Sequence, residues 1–241
     1  MGCWVCLVIA GMADQTSSWG LELEGGALFA TRADVRIPGD TGTRFSFQDD
    51  LDVDPAAYVR GRAYWRPTPR QTILATVVPI DVTASGEIDR DIRFADTVFP
   101  AGTAVDASYR FNNYRLTYRY RLVDSGHWQI EAGGTLFVRD ARIRVTSADA
   151  TDRDDDLGVV PLLHLRLAFR PCAAWTLLLD GDALTAPQGR ALDLFVGAEY
   201  AWTNWLHTGA GYRILDGGAD NSSVFTFAQF QHAAVTLRAA F

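Results

Sequence analysis

After residue 18 the chain is a succession of segments in which apolar and polar residues alternate, joined by short and long connections in turn. Alternation with period two marks a strand with one apolar and one polar face. The segments fall near 19–36, 55–66, 71–88, 105–122, 128–146, 158–169, 175–186, 191–202, 205–215 and 224–241. The connections after odd segments (37–54, 89–104, 147–157, 187–190 and 216–223) are the longer ones, although 187–190 hardly exceeds its short neighbours. Ten such strands closing on themselves use the whole chain. The expected fold is all-β, a closed antiparallel barrel of about ten strands, with eight and twelve as neighbouring solutions.

Four segments show their faces clearly. In 105–122, Tyr114, Leu116, Tyr118, Tyr120 and Leu122 oppose Arg115, Thr117, Arg119 and Arg121. In 128–146, Trp128, Ile130, Ala132, Gly134, Leu136 and Val138 oppose Gln129, Glu131, Gly133 and Thr135. The segments 191–202 and 224–241 alternate in the same way. A soluble barrel turns the apolar face inward, whereas a membrane barrel inverts it. The aromatics favour inversion because they gather at the short connections. Trp65 precedes 66–70, Tyr118 and Tyr120 lead into 124–127 with Trp128 after it, Phe169 and Trp175 bracket 170–174, Trp202 and Trp205 bracket 203–204, and Phe241 ends the chain. With the short turns at one end these rings form a girdle, which a membrane–water interface selects. Several segments also exceed the usual length of a soluble strand. A transmembrane barrel over 14–241 is therefore expected.

Composition removes other classes. No internal run reaches the roughly 18 apolar residues of a transmembrane helix. The formal charge is −7, and all 22 basic residues are arginine. An acidic balance with scattered arginines argues against nucleic acid. Residues 1–13 read as the apolar core of a secretory signal, with Gly11 and Ala13 at the spacing a signal peptidase needs. No basic residue precedes that run, which leaves open a start further upstream. Cys3 and Cys6 leave with such a signal, and Cys172 then stands alone without a disulfide partner.

The last segment, Val235-Thr-Leu-Arg-Ala-Ala-Phe241, resembles the C-terminal assembly signal of Gram-negative outer-membrane proteins. The resemblance implies a small outer-membrane barrel with both termini periplasmic. Its surroundings would be outer-membrane lipid and lipopolysaccharide, and the barrel assembly machinery would be its partner during biogenesis. The family-level likeness brings no activity with it.

The polar face supplies a candidate lumen: Glu22, Glu24, Arg60, Arg62, Arg115, Arg119, Arg121, Glu131, Arg139, Asp180, Asp182, Asp193 and Glu199. So narrow an interior is nearly filled by side chains. Charges inside it must pair, because an isolated buried charge is costly. The expectation is an ion-pair network that plugs the lumen; a narrow charged pathway for ions or small solutes is the alternative.

Enzyme readings are weaker. Asp180 and Asp182 share a face, which invites comparison with the ten-stranded omptin proteases and their Asp–Asp and Asp–His pairs near the outer rim, but here the acids fall near mid-strand and no Asp-x-His motif appears. His164 and His207 are candidate bases. A lipid-modifying barrel enzyme needs a hydroxyl nucleophile beside a histidine, and no local motif supplies one. Asp152, Asp154 and Asp156 have the spacing of the first calcium-loop ligands. However, Leu157 and Leu163 stand where that loop needs glycine and glutamate. A solvated acidic loop is the simpler expectation for 147–157. In 89–104, Ile92, Phe94, Val98 and Phe99 suggest extension of the flanking strands. No cofactor is expected. The combined reading is a non-enzymatic outer-membrane barrel with a structural or surface-contact role, its loop partner unidentified; a pore or a lipid-modifying enzyme are the alternatives.

Overall fold

The computed structural model describes residues 17–241, so the segment 1–13 read as a signal lies outside the described residues. Ten strands form the wall: β1 (Trp19–Arg36), β2 (Ala56–Thr68), β3 (Gln71–Val78, resumed as Asp81–Glu87), β4 (Ala104–Asp124), β5 (Trp128–Thr146), β6 (Thr151–Cys172), β7 (Trp175–Ala186), β8 (Gly189–Ala201), β9 (Leu206–Asp220) and β10 (Phe225–Ala240). Each pairs antiparallel with its neighbour, and β10 returns to β1 from Gly20↔Ala240 to Arg36↔Phe225. Closure removes the free sheet edges that a ten-stranded sheet would otherwise expose. Trp19 and Phe241 exchange backbone hydrogen bonds of 3.0 and 2.7 Å, so both ends of the described chain lie where the short turns lie.

The barrel is inside-out. Outward Leu163 and Leu237 are 72% and 47% exposed, whereas inward Glu24 and Arg213 are each 1% exposed. Around the short-turn end, Trp19 stacks on Trp65 at 5.6 Å, Trp128 meets Phe169 at 4.7 Å, and Tyr200 joins Trp175 (5.1 Å) to Trp202 (4.9 Å). Trp205 and Phe241 are exposed at the same end. Tyr120 and Tyr118 are also outward, but Tyr118 pairs with Gly134, well above Trp128, and sits within the apolar band rather than at its rim.

Three of the five longer connections turn out to be short. Residues 147–157 are mostly strand: β6 starts at Thr151 and pairs with β5 from Thr146↔Thr151 onward. The run of aspartates had hidden the alternation by placing acids on both faces. The connection 187–190 collapses to a tight turn between Ala186 and Gly189, and β9 runs on to Asp220. Among the described residues only 37–55 and 88–103 are long loops.

Both long loops fold onto the barrel. Phe45–Ser46 pair with β1 (Val35↔Phe45, Asp34↔Ser46). Asp52–Val53 pair with the outer part of β3 (Asp52↔Ser85, Val53↔Ala84). There they take the place of β2, whose pairing with β3 ends at Gly61↔Val77. Pro79, which can donate no ladder bond, marks the interruption of β3. The second loop forms its own hairpin, Ile92–Phe94 against Thr97–Phe99, and does not extend β3 and β4 as expected. Its apolar residues are buried instead: Ile92, Phe94 and Phe99 join Phe45, Phe47 and Leu51 against the inward faces of β1, β3, β4, β5 and β10. Val98 alone of the four stays exposed.

Candidate functional site

The lumen has two storeys. The one nearer the short turns is charged. Its upper layer centres on Arg213, which donates to Glu24 Oε1 and Oε2 at 2.7 Å each and to Asp193 Oδ1 at 2.5 Å. Asp193 also accepts from Arg60 at 2.8 Å and faces Arg115 at 2.5 Å, and Arg115 reaches across to Asp182 at 2.9 Å. Tyr58 donates to Glu24 at 2.9 Å, and Thr135 to Asp182 at 2.6 Å. Three guanidiniums (Arg60, Arg115, Arg213) thus meet three carboxylates (Glu24, Asp182, Asp193). The guanidiniums also lie over rings, Arg115 over Phe137 at 4.7 Å and Arg213 over Phe195 at 4.9 Å. Gly211 makes room for this, since a Cβ there would come within 2.4 Å of the Phe195 ring.

The layer below follows the same rule. Arg62 bridges Glu22 (3.0 Å) and Asp180 (3.1 Å). Arg119 pairs with Glu131 at 2.8 Å and Asp180 at 3.5 Å, and Arg121 with Glu131 at 3.1 Å and Asp124 at 3.0 Å. Arg166 lies 3.9 Å from Glu131 and 3.8 Å from Asp180, and Arg238 donates to Glu199 at 3.0 Å. Five guanidiniums (Arg62, Arg119, Arg121, Arg166, Arg238) meet five carboxylates (Glu22, Asp124, Glu131, Asp180, Glu199). The two layers therefore balance, which is what burial of so much charge requires.

Of the expected lumen residues, Arg139 alone stands apart. It faces inward above the layers and pairs with Asp156. Sequence reasoning missed Arg213, the central cation, and passed over Arg166. The β9 strand around Arg213 is rich in glycine, so its alternation is faint. Counting polar residues on the face of Gly209 and Gly211 would have found it.

Three of the four histidines are held by the lumen, and His127 is exposed in a short turn. His164 Nδ1 lies 2.9 Å from Asp182, and His232 Nδ1 lies 3.4 Å from the Arg213 carbonyl with its ring 4.1 Å from that of Tyr58. The Thr135 hydroxyl is spent on Asp182 and accepts from Thr117 at 2.7 Å, so it is not activated by His164. His207 is also buried within the barrel. Asp180 and Asp182 are both engaged by arginines.

The other storey is an apolar cap. Phe45 stacks on Phe47 at 5.9 Å and meets Phe94 edge-on at 6.1 Å, and Phe47 meets Tyr109 at 6.5 Å. Polar ties lock the two loops together. Thr43 N–H donates to the Arg93 carbonyl and Ala95 N–H to that of Ile37, each at 2.9 Å. Arg90 donates two bonds of 2.8 Å to Asp50, and these hold the Asp50 carboxyl below its ordinary value. Asp152, Asp154 and Asp156 lie on one face of β6 as strand residues, which corrects the loop reading. Asp152 accepts from the Asp96 N–H at 3.0 Å, and Asp156 takes Arg139. Burial and the carboxylates of Asp156, Asp155 and Asp152 push Asp154 upward. Among the described residues no group of three or more acids, histidines or cysteines has the arrangement of a metal site.

No family model matches the chain, and no curated protein matches it. Among solved structures it is similar to the outer membrane protease OmpT from Escherichia coli, with a TM-score of 0.56 at 12% identity over 97% of this chain and 99% of that one. An outer membrane channel from Pseudomonas putida F1 aligns with a TM-score of 0.45 at 10% identity over 98% of this chain and 100% of that one. Ail, the attachment invasion locus protein of Yersinia pestis, aligns at 0.38 and 7% over 92% and 99%. Identities this low carry the fold alone, and of these three only OmpT is similar enough to argue from. The chain has the fold of the outer-membrane β-barrels.

Proposed function

We propose that this protein is a non-conducting barrel of the Gram-negative outer membrane that acts through the folded cap, as a structural or surface-contact protein. The exposed apolar band, the aromatic girdle and the terminal strand support that location, with both termini periplasmic and the cap outside. One observation carries the functional reading: the lumen is closed by eight guanidiniums paired with eight carboxylates, and its mouth is then covered by an apolar core. Balanced charge leaves no net field to select an ion, and the paired side chains of the charged storey fill the barrel below the cap. Neither favours the channel reading. The enzyme reading gains nothing from the hydroxyl that shares Asp182 with His164, since Thr135 donates to that carboxylate.

The test is osmotic swelling of vesicles carrying the refolded chain, with folding checked by the gel shift between heated and unheated samples. Vesicles that fail to swell in arabinose while an open porin control swells are the expected result. Swelling at a rate proportional to protein loading would sink the proposal.

A further inference from the structure

The wall of the barrel is broken in two places, and the chain repairs only one. Where β3 outruns β2, Asp52–Val53 fill the ladder. Where β6 outruns β7, none of the described residues does. The β6–β7 ladder runs upward only to Leu163↔Ala183, and Thr151–Leu162 pair with β5 alone. Pro161 stands in this unpaired stretch and has no N–H to offer a neighbour.

Behind the break lies a cavity of about 350 Å³ whose walls are mainly apolar. That size is within the usual range of small-molecule sites, roughly 300–1,000 Å³. Val160 and Leu162 line it on one side of the break, Leu184 and Ala186 on the other, and Ala228 and Phe230 at the back. Its floor is the charged storey, at Arg115 and Asp193.

The height of the opening identifies what can enter. On β5, Val138 pairs with Val159 and faces outward with it, and the outward face turns polar one step higher, at Asp140. The break therefore opens at the upper edge of the apolar band, level with lipid chains. The charges around the cavity already have partners: Arg115 with Asp193, Arg139 with Asp156 and Arg190 with Asp216. They leave no site for an anion. On the water side the cavity is bordered by the tight turn at Gln188–Arg190 and by Asp216, where Arg190 and Asp216 hold each other. The break between β6 and β7 adds an entrance from the hydrocarbon side, bordered by Val160, Leu162, Leu184 and Ala186.

We infer that this cavity binds the aliphatic chain of a lipid of the outer leaflet, admitted sideways between β6 and β7. The inference rests on the membrane placement proposed above. The test uses the full chain refolded into phospholipid vesicles that contain a phospholipid with a diazirine near one chain end. After irradiation, adducts are mapped by peptide mass spectrometry. Adducts on inward Leu162, Leu184 or Phe230 are expected beside those on outward Leu163 and Leu165. Ala228→Trp, which fills the back of the cavity, should abolish the inward adducts and leave the outward ones. Ala186→Trp, at the mouth, should do the same and serves where the first variant does not fold.

Outward adducts without inward ones in the unaltered chain would overturn the inference. So would inward adducts that persist in both filled variants, or inward labelling by a free diazirine alkane but not by the phospholipid. Absence of adducts on the outward face as well would instead overturn the membrane placement.

Discussion

The two storeys of the lumen close the same barrel by opposite means. The charged storey is directional and long-range. Arg213 on β9 grips Glu24 on β1 across 189 residues of sequence, and Arg60 on β2 reaches Asp193 on β8. The cap is apolar and comes from two neighbouring loops whose phenyl rings need only bulk and rough fit. Directional pairs fix which strands face each other, whereas the cap only needs the mouth to be there. Damage should therefore spread in the first and stay local in the second.

The largest effect separating them should come from Arg213→Glu. Losing one partner of a buried pair costs roughly 3–5 kcal/mol, and reversal adds a third carboxylate beside Glu24 and Asp193. The folded band on an unheated gel should disappear well below the temperature at which the unaltered barrel melts. An unchanged melting point would show that this storey is hydrated and not a paired network. Next, Phe94→Ala should cost the cap about 3 kcal/mol or somewhat more, as truncation of a buried Phe does. Rapid protease cleavage within 37–55 or 88–103, with an unshifted barrel melt, is the expected readout; a barrel that melts early would mean that the storeys are one cooperative unit.

Arg90→Gln should act more weakly. Arg90 is partly exposed, and such pairs contribute about 0.2–1 kcal/mol. A slight increase in cap cleavage is expected, and none in barrel stability. The smallest effect concerns pH. Asp50 is held below its ordinary value of 3.8 by Arg90, so its contribution is complete above that value and is lost as pH falls through the lower folded value. Asp154 is pushed upward, so its protonation on acidification partly offsets the loss. Hydrogen exchange in the cap should accelerate below that range in the unaltered chain, and Asp50→Asn should remove most of the change. Equal acceleration in both would place the acid sensitivity elsewhere.

Much of the wall could be read in the sequence because alternation is local. The period of two in Tyr114–Leu122 or Trp128–Val138 needs no knowledge of neighbours. What failed was also physical. In Thr151–Leu157 aspartates occupy inward and outward positions alike, so the pattern vanished although the strand remained. Beside Arg213, Gly211, which admits the Phe195 ring, and Gly209 leave the polar face of their strand almost without a signal. The cap was invisible for a different reason: Phe45, Phe47 and Leu51 fall on alternate positions, but that local pattern does not say what they cover, and only the barrel mouth gives them something to pack against. Which arginine meets which acid depends on strands brought together by closure, so the lumen residues could be named but their pairing could not.

The most direct test of a lumen sealed by both storeys is the conductance of the refolded chain, with its folded state verified, in a planar bilayer. A silent bilayer is expected at every voltage the membrane tolerates, for the unaltered chain and for Phe94→Ala alike, because the charged storey still closes the barrel when the cap is loosened. Discrete, reproducible openings of the unaltered chain would contradict it and would make the inward arginines the lining of a pore.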